Sequence, residues 1–180
     1  MNQIILCRHA STQALEDLEG SGKVISKRQN DSPLSLLGQK EAENMKKLLK
    51  KTGYRWDAVL CSMFTRTRET GAIINKDAKK PLIVASEFNE YYVSPEGKDL
   101  ESTKVGTARA MTKLYALFQV FDSVLLVGHK SINQTILRNL LNCTYKTSLK
   151  YFHKTMETIV LRYNWRLGDN KWKIIDHFTV

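Results

Sequence analysis

Short apolar runs alternate with amphipathic stretches through most of the chain. The apolar runs have strand length and composition, and they predict β-strands at 3–7, 57–61, 82–85 and 124–127. The stretches between them place apolar residues at helical spacing and predict helices over 35–52, 62–76, 102–119 and 130–141. In the first helix Ala42, Met45 and Leu49 form the predicted core stripe. This order predicts an α/β fold, a three-layer α/β/α sandwich around a largely parallel sheet.

The C-terminal part follows a different pattern. "TMETIVLRYNW" (155–165) and "KWKIIDHFTV" (171–180) are typical of strands, and "RLGDN" between them has turn chemistry. These segments predict an antiparallel hairpin added to the sheet. Two polar segments, 12–32 and 86–101, are predicted loops. No repeat or linker divides the sequence, so we expect a single domain over 1–180.

Composition favours a soluble protein. Of 180 residues, 42% are hydrophobic and 26% charged, and no apolar run is long enough to span a bilayer. Arg8 and His9 come too early for a secretory signal, so we expect a cytoplasmic protein. Three cysteines without metal-ligand spacing predict no zinc site and buried thiols at Cys7 and Cys61. The alternative for Cys7 is a catalytic thiol activated by Arg8.

The net charge of +10 predicts attraction of anions. Phosphorylated metabolites, nucleotides, acidic proteins and nucleic acids all fit this field, and a solubilising surface is the alternative explanation. No recognised nucleic-acid-binding module is present, so nucleic acid is not the expected partner. The expected partner is a small phosphorylated substrate, with a phosphoprotein as the alternative. The sequence does not predict the oligomeric state.

Ionisable residues follow each predicted parallel strand. Arg8 and His9 follow the first, Arg66 the second, Glu90 the third and His129 the fourth. Ligands of open α/β sheets bind beyond the carboxyl ends of the strands, so these side chains are predicted to share one site. Two guanidiniums can grip phosphate oxygens and keep a nearby imidazole neutral. A neutral histidine can attack phosphorus, and a carboxyl group can protonate the leaving alcohol, without any metal or other cofactor.

Five segments in order resemble one family. They are "RHAST", "DSPLSLLGQKEA", "CSMFTRTRETGAII", "FNE" and "LLVGHKSI". Together they resemble the signature segments of the histidine phosphatase superfamily, the phosphoglycerate mutase-like proteins, from residue 3 to about 140. The resemblance implies metal-independent phosphomonoester hydrolysis with His9 as the phosphorylated nucleophile. It also implies that Arg8, Arg66 and His129 bind the phosphoryl group and that Glu90 donates the proton.

The sequence departs from the family pattern at three site positions. Leu15 stands where some members place an asparagine that contacts phosphate, so that contact is expected to be missing. Ala10 replaces the usual glycine, and its methyl group is expected to narrow the approach to phosphate. Lys130 replaces the glycine after the second histidine and adds positive charge at the pocket mouth. The segment between Glu90 and His129 is short for a mutase, which predicts an open pocket and favours hydrolysis. A phosphoglycerate-type mutase, or an inactive member that binds phosphate or nucleic acid, is the alternative.

Three further residues are candidate substrate ligands. Ser11 and Thr12 either donate to phosphate or cap the next element. Lys130 either steers substrate or is merely exposed.

The remaining polar candidates have no assigned role. Arg68 is either a second pocket cation or a partner of Glu69 or Glu87, and Glu87 competes with Glu90 for the acid role. Structural or surface roles are predicted for His153 and His177. For Tyr91 and Tyr92 the alternatives are stacking on a ligand and packing against the sheet.

Overall fold

The computed structural model describes residues 2–15, 31–91, 101–164 and 172–180. The predicted turn "RLGDN", Tyr92 and most of the predicted loops 12–32 and 86–101 lie outside the described residues.

One six-stranded sheet forms the centre of the described fold, in the order β3-β2-β4-β1-β5-β6. The strands are β1 (Gln3–Arg8), β2 (Ala58–Cys61), β3 (Leu82–Val84), β4 (Ser123–Gly128), β5 (Thr158–Tyr163) and β6 (Trp172–Phe178). The first four are mutually parallel, whereas β5 and β6 are antiparallel additions. The predicted sheet and its C-terminal antiparallel pair are confirmed.

Helices cover both faces of the sheet, as the alternating pattern predicts. They are α1 (Leu36–Thr52), α2 (Thr65–Asn75), α3 (Thr103–Leu117), α4 (Lys130–Leu141) and the short α5 (Tyr145–Ser148). Local chemistry sets the ends of α1: the Ser35 hydroxyl accepts from the Gly38 amide, and Gly53 ends the helix with a φ of 75°. No helix in the described part of the chain is long and apolar enough to cross a membrane.

Two hydrophobic clusters lie on opposite sides of the sheet. Below one face, Ala42, Met45 and Leu49 of α1 pack with residues such as Ile5 and Leu125. On the other face, residues of α3 and α4 pack against the strands in a cluster that includes Leu6, Leu126, Ala110, Leu114 and Ile136. Successive strand residues thus enter different clusters, because side chains alternate across a sheet. The predicted α1 core stripe is confirmed.

The structure differs from the predicted elements at a few short segments, among them a 3₁₀-helix at Ser86–Phe88 within the predicted loop 86–101. Helix α2 begins at Thr65 rather than at 62, because side chains hold the intervening turn. The Ser62 hydroxyl accepts from the Phe64 amide (3.2 Å), and the Asn89 side chain accepts from the Met63 amide (2.9 Å). Helix α5 was not predicted, since a single turn is too short to show helical periodicity.

Candidate active site

The two central strands bring His9 and His129 side by side. In the parallel register of β1 and β4, Arg8 pairs with Gly128, and the His9 amide donates to the Gly128 carbonyl at 2.9 Å. The two imidazole centroids are 5.3 Å apart. Residues far apart in the chain therefore meet at the carboxyl edge of the sheet, where ligands of such folds bind.

The ring of His9 has a defined tautomer. Its Nδ1 lies 2.8 Å from the Ala10 carbonyl oxygen, which can only accept, so Nδ1 carries the hydrogen and Nε2 the lone pair. His9 is buried, and this burial, followed by the charges of Arg66 and Arg8, holds its pKa well below 6.5. The side chain is therefore a neutral imidazole with its lone pair on Nε2 at neutral pH.

His129 occupies the position just before the first residue of α4. One ring nitrogen, Nε2, lies 2.8 Å from the Ser62 hydroxyl, and the ring packs edge-on against Phe64. The other nitrogen, Nδ1, is buried without a hydrogen-bond partner among the described residues. Burial, then the charge of Arg66, holds the pKa of His129 well below 6.5. The protein thus anchors one side of this neutral ring and leaves a polar atom on the other side unpaired.

Two arginines supply the positive charge. Arg8 donates through Nη1 to the carbonyls of Phe152 (3.3 Å) and His153 (2.5 Å). Arg66, which is 5% exposed, places its guanidinium 4.4 Å from the centre of the Phe64 ring. Burial lowers the pKa of Arg8 and lowers that of Arg66 to about 10, so both remain cations at pH 7.

Glu90 is the buried carboxylate of the site. Its Oε1 accepts from the Tyr91 amide (3.0 Å) and its Oε2 from the Ser131 amide (3.1 Å) in the first turn of α4. The helix that begins after His129 therefore also holds the carboxylate. Glu87, the competing candidate, is partly exposed and lies 3.9 Å from the Lys113 ammonium.

The other predicted substrate ligands are placed differently. Ser11 donates to the Glu41 carboxylate through both its amide (2.8 Å) and its hydroxyl (3.1 Å). The Thr12 hydroxyl accepts from the Leu15 amide (3.3 Å), which is the capping arrangement. Both hydroxyls already have partners within the protein. Lys130 lies at the edge of the site with its Nζ 3.2 Å from His153 Nδ1.

Ala10 and Cys7 flank Arg8 and His9. Ala10 is fully buried in the cluster between the sheet and α1, and its amide donates to the Thr70 hydroxyl (3.2 Å). Its methyl group contacts the core, and the narrowing of the approach to phosphate expected at this position stays a prediction. Cys7 is also fully buried, and this raises the pKa of its thiol to about 12. An uncharged thiol is a poor nucleophile, so the alternative of a catalytic Cys7 is excluded.

The remaining candidates have contacts of their own. Arg68 donates to the Thr65 hydroxyl on its own helix (3.0 Å). Tyr91 takes the packing alternative, because its ring lies against Gly106 and its hydroxyl is 2.7 Å from that of Thr135. His177 lies 3.0 Å from the Glu157 carboxylate, in agreement with the structural role predicted for it.

The sequence analysis did not identify the groups that hold the site residues and their backbone in place. Glu41 bridges Ser11 and the Thr155 hydroxyl (3.1 Å), and it thereby joins the segment after His9 to the loop 152–157. This loop supplies the carbonyls that hold Arg8. Glu41 belongs to a segment quoted for the resemblance, which was the available signal, whereas the carbonyls carry no residue signature.

Asn133 is a second missed residue. It is fully buried on α4, and its Nδ2 donates to the Cys7 carbonyl at 3.1 Å, just before Arg8. A Cβ at Gly128 would lie 2.2 Å from Asn133 Oδ1, so the glycine at the end of β4 makes room for this amide. No signal in the sequence separated Asn133 from the other polar residues of the helix.

No group of three or more His, Cys, Asp and Glu side chains in the described ranges is placed to hold a metal ion.

Comparison with known proteins identifies the family. The model of the histidine phosphatase superfamily (branch 1) matches residues 4–113. The chain therefore belongs to the histidine phosphatase superfamily, as its five segments predict. None of the curated proteins gives a significant match.

Solved structures agree on the fold along the whole chain. A mycobacterial glucosyl-3-phosphoglycerate phosphatase is 15% identical with a TM-score of 0.77, covering 100% of this chain and 99% of its own. A putative alpha-ribazole-5'-P phosphatase from Escherichia coli is 19% identical, with a TM-score of 0.77 and coverages of 99% and 96%. The alpha-ribazole phosphatase from Shigella flexneri is 17% identical, with a TM-score of 0.78 and the same coverages.

Proposed function

We propose that this protein hydrolyses phosphomonoesters of small metabolites through a phosphohistidine intermediate on His9. The observation that carries the proposal is the hydrogen bond from His9 Nδ1 to the Ala10 carbonyl, which leaves the Nε2 lone pair for attack. The charges of Arg66 and Arg8, which help to keep this ring neutral, are also those a phosphoryl dianion requires. Membership of the histidine phosphatase superfamily supports the same proposal for His9.

In the first step, the lone pair of His9 Nε2 forms a bond to phosphorus and the bond from phosphorus to the alcohol oxygen breaks. Glu90 gives its proton to that oxygen, so a neutral alcohol leaves. Arg8, Arg66 and the unpaired Nδ1 of His129 bind the phosphoryl oxygens as charge redistributes. The Ala10 carbonyl stabilises the positive charge of the phosphorylated ring through the Nδ1 hydrogen bond.

In the second step, water attacks phosphorus and transfers a proton to the Glu90 carboxylate. The bond from Nε2 to phosphorus breaks, and inorganic phosphate leaves with His9 again neutral. The residues that bound the phosphoryl group in the first step bind it here as well. One site therefore serves both half-reactions and regenerates its starting protonation state.

A small substrate is favoured by the structural relatives. The similar proteins carry the names of a glucosyl-3-phosphoglycerate phosphatase and alpha-ribazole phosphatases, both of which indicate phosphorylated metabolites. The depth of His9, which is 6% exposed, agrees with a phosphoryl group on a compact molecule.

The direct test is hydrolysis of p-nitrophenyl phosphate by the wild type and by His9→Ala, with chelator present, between about pH 5 and pH 8. We expect chelator-resistant activity that the variant loses, with thermal unfolding confirming that the variant is folded. Protonation removes the lone pair, so activity falls as the pH drops through the lowered pKa of His9, below 6.5. Equal activity in both proteins would contradict the assignment of the nucleophile.

A further inference from the structure

Lys130 is a cation fixed in position at the edge of the site. It is the first residue of α4, directly after His129, and its side chain is partly buried. Its Nζ lies 3.2 Å from Nδ1 of His153. A lysine held in this way loses less conformational entropy on binding a ligand than one that moves freely in solvent.

The partner of Lys130 is the imidazole of His153, whose two nitrogens have different contacts. The Leu149 carbonyl contacts the other nitrogen of His153, Nε2, and a carbonyl can only accept a hydrogen bond. Nε2 therefore carries the hydrogen, and Nδ1 has the lone pair that accepts from the Lys130 ammonium. Among the residues that the structure describes, His153 is the one polar partner of this ammonium, so the ammonium is held in place while its charge is not neutralised.

A second lysine shows the contrast. Lys46 on α1 lies 2.7 Å from a Glu43 carboxylate oxygen and 3.9 Å from one of Asp77, so carboxylates compensate its charge. Where Lys46 contacts carboxylates, Lys130 contacts the imidazole of His153. The arrangement leaves its positive charge available to an anion from outside the protein.

His153 also connects this cation to the phosphoryl site. Its backbone carbonyl accepts from Arg8 Nη1 at 2.5 Å, while its ring accepts from Lys130. One residue thus touches both the guanidinium proposed for the phosphoryl group and the cation at the edge. An anion at Lys130 would lie close enough to belong to the same small molecule.

We propose that Lys130, positioned by His153, binds a second anionic group of the substrate. The inference rests on the proposed function, in which Arg8 and Arg66 bind the phosphoryl group. The substrate class is then a phosphomonoester with a carboxylate or a second phosphate a few bonds from the scissile group. The two guanidiniums balance the phosphoryl dianion, and the Lys130 ammonium balances the second anion.

The test measures binding without turnover. Carboxyalkyl phosphates of increasing length, each paired with the hydroxyalkyl phosphate of equal length, are titrated calorimetrically into His9→Ala. We expect the carboxylate to bind about fivefold more tightly at the best-fitting length, the upper range for an ion pair in partial contact with water. Addition of Lys130→Gln should bring this ratio near one, whereas Lys150→Gln, an exposed lysine in the neighbouring segment, should leave it unchanged.

Each alternative result overturns the inference. Equal binding of both series at every length, a preference that survives Lys130→Gln, or a failure of both series to bind would each exclude the second anion site. His153→Ala should also weaken the preference, because the Lys130 ammonium then loses its fixed position. Failure of the wild type to hydrolyse p-nitrophenyl phosphate would instead contradict the proposed function and would leave the binding ratios as an independent result.

Discussion

The parallel strands and the antiparallel hairpin meet at Arg8, but they contribute to the site in different ways. The parallel half, from β1 to β4, carries side chains that contact a ligand in the proposed function: His9, Arg66, Glu90 and His129. The segment leading into β5 contributes backbone carbonyls, of Phe152 and His153, that hold Arg8.

The parallel half thus carries the groups proposed to react, and the segment before β5 carries groups that hold them in place. The loop 152–157 has non-glycine residues with positive φ at Phe152 (63°) and Met156 (55°), conformations that cost energy and must be held by their surroundings. The Arg8 amide donates to the Glu157 carbonyl at 3.0 Å, and Glu41 holds Thr155. The hairpin side thus fixes the geometry of Arg8 without supplying a reacting group.

The largest expected effect is on the parallel side, at Glu90. Replacement by glutamine keeps the shape but removes the proton donor, so hydrolysis of an alkyl phosphate should fall about 10³-fold. p-Nitrophenolate leaves without protonation, so kcat/KM for its phosphate, which reports the first step alone, should fall far less. Steady-state kinetics with both substrates measures this difference in kcat/KM; kcat is not used for it, because Glu90 also accepts a proton in the second step, which both substrates share. An equal loss of kcat/KM on both would show that Glu90 does not act as the acid.

The second largest effect on activity is expected from removal of a buried cation, Arg66. Arg66→Gln should lower kcat/KM by about 10²-fold, because a preorganised donor to the phosphoryl oxygens is lost. Arg68→Gln is the matched control, since it lies two residues further along α2 and donates to Thr65. Comparable losses in both variants would mean that general positive charge, and not the position of Arg66, determines the rate.

Substitution of Gly128 tests whether the close approach of β4 to α4 contributes to stability. A Cβ at this position would lie 2.2 Å from Asn133 Oδ1, and relief of that contact would break the bond from Asn133 to the Cys7 carbonyl. We expect Gly128→Ala to reduce the free energy of unfolding by about 2 kcal/mol in urea denaturation. In the Gly128→Ala/Asn133→Ala double variant the losses should be less than additive. Strict additivity would show that the two residues do not interact.

The smallest effect is expected where the two halves are joined, at Glu41. Glu41→Ala removes the acceptor of Ser11 and Thr155 and should lower kcat about fivefold through a less ordered Arg8. Glu41→Gln keeps one acceptor oxygen and should recover most of the rate. Glu43→Ala is the control, because this carboxylate on the same helix pairs with Lys46 and does not contact Ser11 or Thr155. A loss confined to thermal stability, with kcat unchanged in Glu41→Ala, would assign Glu41 to folding alone.

The same division explains what could be predicted from the sequence. His9 and His129 follow apolar strands, so the strand pattern alone placed them at one edge of the sheet. The contribution of 152–157 could not be predicted, because every residue has a carbonyl and its direction depends on the folded backbone. Glu41 was overlooked because its partners, Ser11 and Thr155, are distant in the chain.

Detection of phosphohistidine is the direct test of His9 as the nucleophile. Wild-type protein would be mixed with substrate, quenched with alkali within milliseconds, and analysed by mass spectrometry of the peptide that contains His9. Phosphorus NMR of the trapped protein would then distinguish the two ring nitrogens. We expect a phosphoryl group on Nε2 of His9, since Nδ1 donates to the Ala10 carbonyl. A phosphoryl group on Nδ1 or on His129, or turnover without any phosphorylated histidine, would contradict it.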